Sequence, residues 1–178
     1  TGVQVSSFLQ SRDINLPWGS PDDEPEKQTV CGLGNKKNVL VNKLIDSRGV
    51  GILPGSIEFV HHVLSLGLRT AVVSSSKNCE AILKAAGISD LFEVRIDGVV
   101  AARRQIPGKP QPDTFLAAAK ALEAEPARSI VLEDAISGVQ AGKSGGFGLV
   151  IGIEHGGQAE ALRHNGADVV VADLRELI

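Results

Sequence analysis

The stretch SIVLEDAISGVQAGKSGGFGLVIGI, residues 129–153, changes its hydrophobic pattern twice. SIVLED and FGLVIGI are short apolar runs, and AISGVQAGKSGG between them has its apolar residues at helical spacing. Short runs that are apolar on both faces indicate strands inside a sheet that helices cover on both sides. The stretch therefore predicts a strand, a helix and a strand of a parallel α/β sheet.

The same alternation continues on both sides of this stretch. The predicted strands are LRTAVVSSS (68–76), FEVRI (92–96), SIVLED (129–134), FGLVIGI (147–153) and ADVVVAD (167–173). The predicted helices between them are residues 56–67, 77–87, 113–124, 135–146 and 158–166. Because strands and helices alternate throughout residues 56–178, the sequence predicts an α/β fold, whose ligand sites lie at the carboxyl ends of the strands.

The N-terminal part of the chain has a different pattern. Residues 5–12 and 36–48 carry apolar side chains at helical intervals, whereas the prolines, glycine and acids of residues 14–29 exclude regular structure over most of that segment. GVGILPG, residues 49–55, predicts a hinge. We therefore predict three parts: residues 1–48, a hinge at 49–55, and a core at 56–178.

The composition excludes several classes of function. A formal net charge of -3 and an aromatic content of 3% provide neither a basic stripe nor base-stacking platforms, so we expect no nucleic-acid partner. Cys31 and Cys79 are far apart and suit two reduced thiols. No apolar run approaches the length of a membrane span. We expect no membrane partner, a cytoplasmic location and a monomer.

Polar residues follow two of the predicted strands. Ser74–Asn78, with the sequence SSSKN, leads into a helix, where hydroxyls and free backbone amides suit a phosphate group. Serines also cap many helices for structural reasons, and this alternative stays open. Glu133 and Asp134 end another strand, and two adjacent carboxylates either cap the next helix or recruit a hard cation such as Mg²⁺.

A stiff segment, GKPQPDTF at residues 108–115, precedes another predicted helix. Pro110 and Pro112 fix their own φ and push the residue before each of them toward extended conformations, so the direction of the Lys109 backbone is largely predetermined. Asp113 is expected to be the N-cap of the helix. A solvated loop lysine is the alternative. Together with Ser74 and the acid pair, Lys109 would complete a phosphate site with its metal.

Three of these segments resemble the motifs of a known family. VVSSSKN, GKPQPDTF and VLEDAISGVQAGKSGG are similar, in order and approximate spacing, to the second, third and fourth motifs of the haloacid dehalogenase superfamily. GLGNKKN, residues 32–38, together with SSSKN resembles the β-phosphoglucomutase-like subfamily. The resemblance covers nearly all of the chain. It implies a three-layer Rossmann-like core of residues 56–178 and a small helical cap to which residues 1–48 belong.

The resemblance also implies a role for individual residues. The Ser74 hydroxyl and the Ser75 amide would hold the transferring phosphoryl group, and Lys109 would neutralise charge on it. Glu133 and Asp134 would bind Mg²⁺. Five further residues would contact the sugar phosphate, three from the core and two from the cap: Ser76, Lys77, Asn78, Lys37 and Asn38. Without the resemblance, Lys37 would be a solvated residue on a helix face.

The first motif of the family, Asp-x-Asp, does not occur within residues 1–178. In the family its first aspartate is the nucleophile and its second the general acid and base. Since this motif ends the central strand, the resemblance implies that this strand and the first part of the cap belong to an N-terminal segment before Thr1. We expect residues 1–178 alone to expose two unpaired strand edges, to fold poorly and to be inactive.

With that segment, the resemblance implies a Mg²⁺-dependent phosphoryl transfer on a sugar phosphate through an aspartyl-phosphate. Isomerisation of β-glucose 1-phosphate to glucose 6-phosphate is the first expectation. A sugar-phosphate phosphatase is the alternative, because the same core hydrolyses the intermediate when water enters. A non-catalytic domain is disfavoured by the retained polar residues. A dinucleotide-binding oxidoreductase is excluded because the glycines of GKSGGFG lead from a helix into a strand, the reverse of the required order.

Overall fold

The computed structural model describes residues 2–178, with the side chains of residues 2–4 and 7 outside the description. The described part of the chain contains eight α-helices, α1 to α8 in chain order: Gly2–Gln10, Val30–Arg48, Pro54–Ser65, Cys79–Ala85, Gly98–Arg103, Asp113–Ala121, Ile136–Ser144 and Ala159–His164. It contains five strands, β1 to β5: Ala71–Val73, Val94–Ile96, Ile130–Glu133, Leu149–Ile153 and Val169–Val171. The predicted alternation of strands and helices is thereby confirmed.

The strands form two parallel sheets. One sheet pairs β1 with β2, and the other has the order β3-β4-β5. β1 and β3 are edge strands of their respective sheets, and they share one core, since Val73 of β1 packs against the buried cluster that contains Val131 of β3. The carboxyl ends of both edge strands are therefore close to each other.

Helices cover the larger sheet on both faces. Val150 and Ile151 are neighbours on β4, so their side chains point to opposite faces. Val150 belongs to a buried cluster with Phe115 of α6 and Leu162 of α8, whereas Ile151 belongs to a second cluster against which Phe59 of α3 packs. The predicted parallel α/β core in three layers is confirmed.

A buried carboxylate organises the irregular segment between α1 and α2. Asp23 is 7% exposed and accepts hydrogen bonds from the backbone amide of Ser20 at 3.0 Å and the hydroxyl of Thr29 at 2.7 Å. The ammonium of Lys27, 2.5 Å from the second carboxylate oxygen, holds the pKa of Asp23 below its ordinary value. The segment is irregular, as predicted, and is fixed by these polar contacts.

Helix α2 begins six residues before the predicted start at residue 36. Thr29 is its N-cap and accepts a hydrogen bond from the backbone amide of Gly32 at 2.9 Å. Gly32 and Gly34 have low helix propensity and hid this start in the sequence. A Cβ at position 32 would overlap the carbonyl oxygen of Lys27, so glycine is required there by the close approach of the preceding loop.

The other boundaries differ by smaller amounts, and one helix was not predicted. β1 covers only three of the nine residues predicted, since the residues that follow it form a turn. α3 begins at Pro54, within the segment predicted as a hinge, because proline suits the first helical position. The unpredicted helix is α5, which Asp97 caps by accepting from the backbone amides of Val99 and Val100. None of the described helices is both long and apolar enough to span a membrane.

Two buried threonines provide a matched test of the polar cluster around Asp23. Thr29 and Thr114 are both 5% exposed, but the Thr114 hydroxyl has no hydrogen-bond partner among the described residues. Thr29→Val removes a helix cap and one donor to a buried carboxylate, so we expect the free energy of unfolding to fall by about 2 kcal/mol. Thr114→Val should change it by less than about 0.5 kcal/mol or raise it. Urea unfolding of the full-length protein, followed by circular dichroism, measures both changes, and equal losses would contradict the role of Thr29.

Candidate active site

A cavity of about 770 Å³ lies between α2 and the carboxyl ends of β1 and β3. Val41 of α2 and Leu53, directly before α3, line it on one side, and Val73 and Leu132 line it from the two edge strands. All ten residues that the sequence singled out also line it: Lys37, Asn38, Ser74, Ser75, Ser76, Lys77, Asn78, Lys109, Glu133 and Asp134. The structure therefore brings them together, while the roles that the resemblance implies for them remain predictions.

Lys109 connects the ends of the two edge strands. Its ammonium forms an ion pair with the carboxylate of Glu133 at the end of β3, and it lies 3.5 Å from the carbonyl oxygen of Val73 at the end of β1. The same ammonium lies 4.7 Å from the centroid of the Phe115 ring, within the range of a cation–π interaction. Lys109 is thus not a solvated loop lysine but a nearly buried cation with three kinds of contact.

The Glu133 carboxyl is buried beside this cation. The side chains of Lys109 and Glu133 are 11% and 8% exposed. Burial raises the pKa of Glu133 above its ordinary value, because loss of water disfavours the carboxylate, and the nearby charge of Lys109 opposes this effect. The carboxylate therefore depends on Lys109 for its charge, and each member of the pair would be costly to bury without the other.

The segment that carries Lys109 is anchored by the helix that follows it. The peptide bond between Lys109 and Pro110 is cis. Pro112, not Asp113, is the N-cap of α6, and no side chain caps this helix, so the expected role of Asp113 is wrong. Asp113 instead occupies the first helical position, because Pro112 already has helical dihedral angles of φ -75° and ψ -10°. Its carboxylate still interacts favourably with the helix dipole.

The serines after β1 form a turn fixed by backbone hydrogen bonds. The Ser74 hydroxyl accepts from the amide of Ser76, and the Ser76 hydroxyl accepts from the amide of Asn78, both at 3.1 Å. The amide of Ser74 donates to the carbonyl oxygen of Ile96 at 2.9 Å, and the amide of Gly98 donates to the carbonyl oxygen of Ser76 at 3.0 Å. The hydroxyls therefore have local structural roles, and each retains its own proton to donate to a ligand.

Three residues that support the site were missed in the sequence. Asp97 is 1% exposed and begins α5 beside the serine turn. A Cβ at Gly98 would lie 2.7 Å from the Ser75 carbonyl oxygen, and a Cβ at Gly138 would overlap the Glu133 carboxyl group. The Asp-Gly pair after a predicted strand was a usable signal for Asp97. The same pair marked Gly98 as a turn glycine but not its approach to Ser75, and Gly138 lies inside a predicted helix, where nothing in the sequence shows that the Glu133 carboxyl folds back onto it.

The acid pair has the donor type that Mg²⁺ prefers. Asp134 is exposed and follows Glu133 directly at the end of β3. Among the described residues, no three His, Cys, Asp or Glu side chains lie together in an arrangement able to hold a metal ion. Mg²⁺ takes about six oxygen ligands and usually keeps several waters. The two carboxylates therefore fit part of such a site, and the other oxygens would come from water, a substrate or other protein groups.

Comparison with known proteins identifies the family. Residues 24–146 match the family described as haloacid dehalogenase-like hydrolase. The chain belongs to this family. A β-phosphoglucomutase from Mycobacterium bovis is 47% identical over 177 residues, which cover 98% of this chain and 68% of the relative. The family and its β-phosphoglucomutase-like subfamily are thus confirmed, and the chain is part of an enzyme of the phosphotransferase and hydrolase type.

Two further comparisons extend this assignment within the haloacid dehalogenase-like family. A trehalose-phosphate phosphatase from Mycobacterium leprae is 37% identical over 130 residues, which cover 71% of this chain and 28% of that protein. The crystal structure of a β-phosphoglucomutase from Clostridium difficile superimposes with a TM-score of 0.79 at 26% identity, covering 99% of this chain and 72% of the other. Both a mutase and a phosphatase are therefore similar to this chain.

The buried ion pair generates a prediction about pH. Lys109→Met keeps most of the apolar stem and removes the charge, so the pKa of Glu133 should rise further above its ordinary value. A carboxyl whose pKa is higher in the folded protein than in the unfolded chain stabilises the folded state at pH values below its unfolded pKa of about 4.3. This stabilisation is lost as the pH rises through the pKa of the folded state. The variant should therefore be close to wild type in acid and about 3 kcal/mol less stable at pH 7.

Urea unfolding of the full-length protein at a series of pH values measures the change in stability, and carboxyl ¹³C NMR titration measures the pKa of Glu133. Lys84→Met is the matched control, because it breaks a pair with Glu80 in which both side chains are largely exposed. Exposed pairs contribute little, so the control should change stability by less than about 1 kcal/mol at any pH. A pH-independent loss in Lys109→Met would contradict the dependence of Glu133 on its partner.

Proposed function

We propose that this chain, together with a segment that supplies an Asp-x-Asp motif, catalyses Mg²⁺-dependent phosphoryl transfer on a sugar phosphate. The proposed reaction is that of β-phosphoglucomutase, which converts β-glucose 1-phosphate to glucose 6-phosphate. The observation that carries the proposal is the cavity in which Lys109 and Glu133 join the serine turn at the ends of β1 and β3. The identity of 47% to the β-phosphoglucomutase of Mycobacterium bovis supports the substrate class.

Lys109 is placed to offset the charge of a phosphoryl group. An ammonium has three protons, and in the structure two of its neighbours are the Glu133 carboxylate and the Val73 carbonyl oxygen. A third acceptor on the cavity side would be a phosphoryl oxygen. The Ser74 hydroxyl and the Ser75 amide would donate to the other oxygens. Fixed donors of this kind favour the transition state, in which charge is spread over the phosphoryl oxygens.

The nucleophile would come from the segment that carries Asp-x-Asp. A parallel strand between the free edges of β1 and β3 would end beside Lys109 and Glu133, since parallel strands present their carboxyl ends at one edge of the sheet. An oxygen of its first aspartate would attack phosphorus while the bond from phosphorus to the sugar oxygen breaks. The product would be an aspartyl-phosphate, and the second aspartate would protonate the leaving sugar oxygen.

Glu133 and Asp134 would hold the Mg²⁺ ion. When bound, the metal would supply positive charge to the phosphoryl oxygens and orient them. The chain's own contribution is the placement of the two carboxylates by β3 and by Gly138, whose missing Cβ leaves room for the Glu133 carboxyl. Glu133 is already paired with Lys109, whereas the Asp134 side chain is exposed. Asp134 is therefore the carboxylate of the acid pair that an incoming Mg²⁺ ion would contact first.

The cap side would select between a mutase and a phosphatase. Lys37 and Asn38 lie on α2 and face the same cavity, where they would hold the phosphate that is not transferred. Closure of the cap about residues 49–55 would exclude water, so that the aspartyl-phosphate passes its phosphoryl group to a sugar hydroxyl. A sugar-phosphate phosphatase is the second candidate, supported by the similarity to the trehalose-phosphate phosphatase of Mycobacterium leprae.

One incubation separates the two candidates. The protein that carries this chain and an Asp-x-Asp segment is incubated with β-glucose 1-phosphate, a glucose bisphosphate primer and Mg²⁺. A mutase should release glucose 6-phosphate, and a phosphatase should release mainly free phosphate. Residues 1–178 without such a segment should do neither, because they contain no Asp-x-Asp. Absence of both products with the segment present would overturn the proposal.

The metal assignment is tested with a second pair of variants. Asp134→Asn removes a charged oxygen ligand, so we expect the apparent Mg²⁺ affinity to fall by at least about tenfold and the rate at low Mg²⁺ to fall with it. Asp90→Asn removes an exposed carboxylate that does not line the cavity and should leave both unchanged. The rate is measured against Mg²⁺ concentration, and an unaltered midpoint for Asp134→Asn would refute its role as a ligand.

A further inference from the structure

An aromatic side chain of the segment between α1 and α2 lines the same cavity. Trp18 is the single tryptophan of a chain with only 3% aromatic residues, and it is 51% exposed. It shares the cavity with Ser74 and Lys109, to which the proposed function assigns the phosphoryl group. A half-exposed aromatic residue that lines a cavity is an unusual use of apolar surface, because aromatic side chains provide much of the burial energy of cores and interfaces.

The backbone on both sides of Trp18 is held by the start of α2. The amide of Cys31 donates to the carbonyl oxygen of Trp18 at 3.0 Å, and the amide of Val30 donates to that of Pro17 at 2.9 Å. The amides in the first turn of a helix have no partners within the helix, and here two of them are hydrogen-bonded to carbonyl oxygens of the segment that carries Trp18. Trp18 is therefore carried by a backbone that moves with α2.

The turn after Trp18 is packed on buried polar groups. Gly19 has φ +78°, and a Cβ there would overlap the Asp23 carboxylate and lie 2.5 Å from the Thr29 hydroxyl oxygen. The side-chain amide of Asn35 donates to the backbone carbonyls of Pro21 at 3.0 Å and Asp23 at 2.8 Å. Position and direction of the Trp18 backbone are thus set before any ligand binds, which reduces the ordering cost of binding.

We propose that Trp18 is a sugar-binding residue of this cavity, whose indole ring packs against one face of the pyranose ring of the substrate. This inference rests on the proposed function and adds the part of the site that recognises the sugar. A pyranose ring presents several C–H groups on one face, and their slightly positive hydrogens are attracted to the negative face of an aromatic ring. Removal of both apolar faces from water adds to this attraction.

The rest of the cavity complements such a ligand. Its other walls are mixed, and among their polar groups Asn38 can donate to or accept from sugar hydroxyls, while Asn35, whose amide protons are already used, can accept through its side-chain oxygen. Gly34 leaves space beside them, since the nearest atom to a Cβ at that position would be a Val5 methyl at 4.0 Å. An aromatic ring and polar groups in one cavity suit a ligand with hydroxyls at the edge of its ring and C–H groups on its face. An open-chain phosphate ester would gain much less from Trp18.

Binding of two probes that differ in the ring tests the inference. Isothermal titration calorimetry of the full-length protein is carried out with glucose 6-phosphate and with glycerol 3-phosphate, which has the same phosphate and no ring. Trp18→Ala should weaken the binding of glucose 6-phosphate by about five- to tenfold and the binding of glycerol 3-phosphate by less than about twofold. Trp18→Phe keeps an aromatic face and should retain most of the affinity. Phe8→Ala is the matched control, since Phe8 is 56% exposed and does not line the cavity.

Each outcome decides between contact and indirect effects. Equal weakening of both probes in Trp18→Ala would mean that Trp18 acts through the phosphate site or the fold, and it would overturn the inference. An unchanged affinity for glucose 6-phosphate in Trp18→Ala would overturn it as well. If the wild-type protein converts β-glucose 1-phosphate and only the Trp18 effect is missing, the proposed function stands without this residue. If the wild-type protein binds neither probe, both proposals fall together.

Discussion

The ion pair between Lys109 and Glu133 is the constraint around which the core side of the cavity is arranged. Both side chains are nearly buried, so each charge needs the other to offset the loss of water. Because the Lys109 ammonium also lies near the Val73 carbonyl oxygen, it links the end of β3 to the end of β1. This requirement explains several separate features. Gly138 has no side chain because the Glu133 carboxyl occupies that space, and Phe115 lies under the ammonium as the buried anchor of α6. A phosphate bound here would meet a cation whose position is already fixed.

Two buried carboxylates of this protein, Asp23 and Glu133, have pKa values shifted in opposite directions. Asp23 also pairs with a lysine, yet its pKa is lowered, whereas the pKa of Glu133 is raised. The difference lies in the other donors. Asp23 receives a hydroxyl and a backbone amide in addition to Lys27, which is itself exposed, and these bonds outweigh the cost of burial. At Glu133 burial dominates, so its protonation responds to any charge that enters the cavity. Asp23 fixes the segment before α2, and Glu133 is a cavity-lining carboxyl whose charge depends on Lys109.

The sequence predicted the features that depend on pattern and missed those that depend on contact. The parallel sheet followed from the alternation of apolar strands and amphipathic helices. The serine turn and the acid pair followed from polar side chains at strand ends, Lys109 from the stiff segment before a helix, and Lys37 and Asn38 only from the family resemblance; all of them line the cavity. The start of α2 was missed because Gly32 opposes a helix by propensity, although packing against the preceding loop requires it. Gly98 and Gly138 were missed because the groups that approach them, the Ser75 carbonyl oxygen and the Glu133 carboxyl, do so only in the folded chain. A glycine that is needed because another group packs against it looks, in the sequence, like any other glycine.

The residues that line the two sides of the cavity are held in place in different ways. On the core side, the groups that would act on the phosphoryl group follow strands or lie beside them, and their positions depend on the register of the sheet. On the cap side, Trp18 lies on an irregular segment that is fixed by its own buried cluster around Asp23 and Thr29. A substitution at Trp18 leaves that cluster intact, because its bonds to α2 are made by the backbone. In the proposed enzyme, therefore, the sugar that is recognised could change by substitution on this segment while the apparatus for phosphoryl transfer stays as it is.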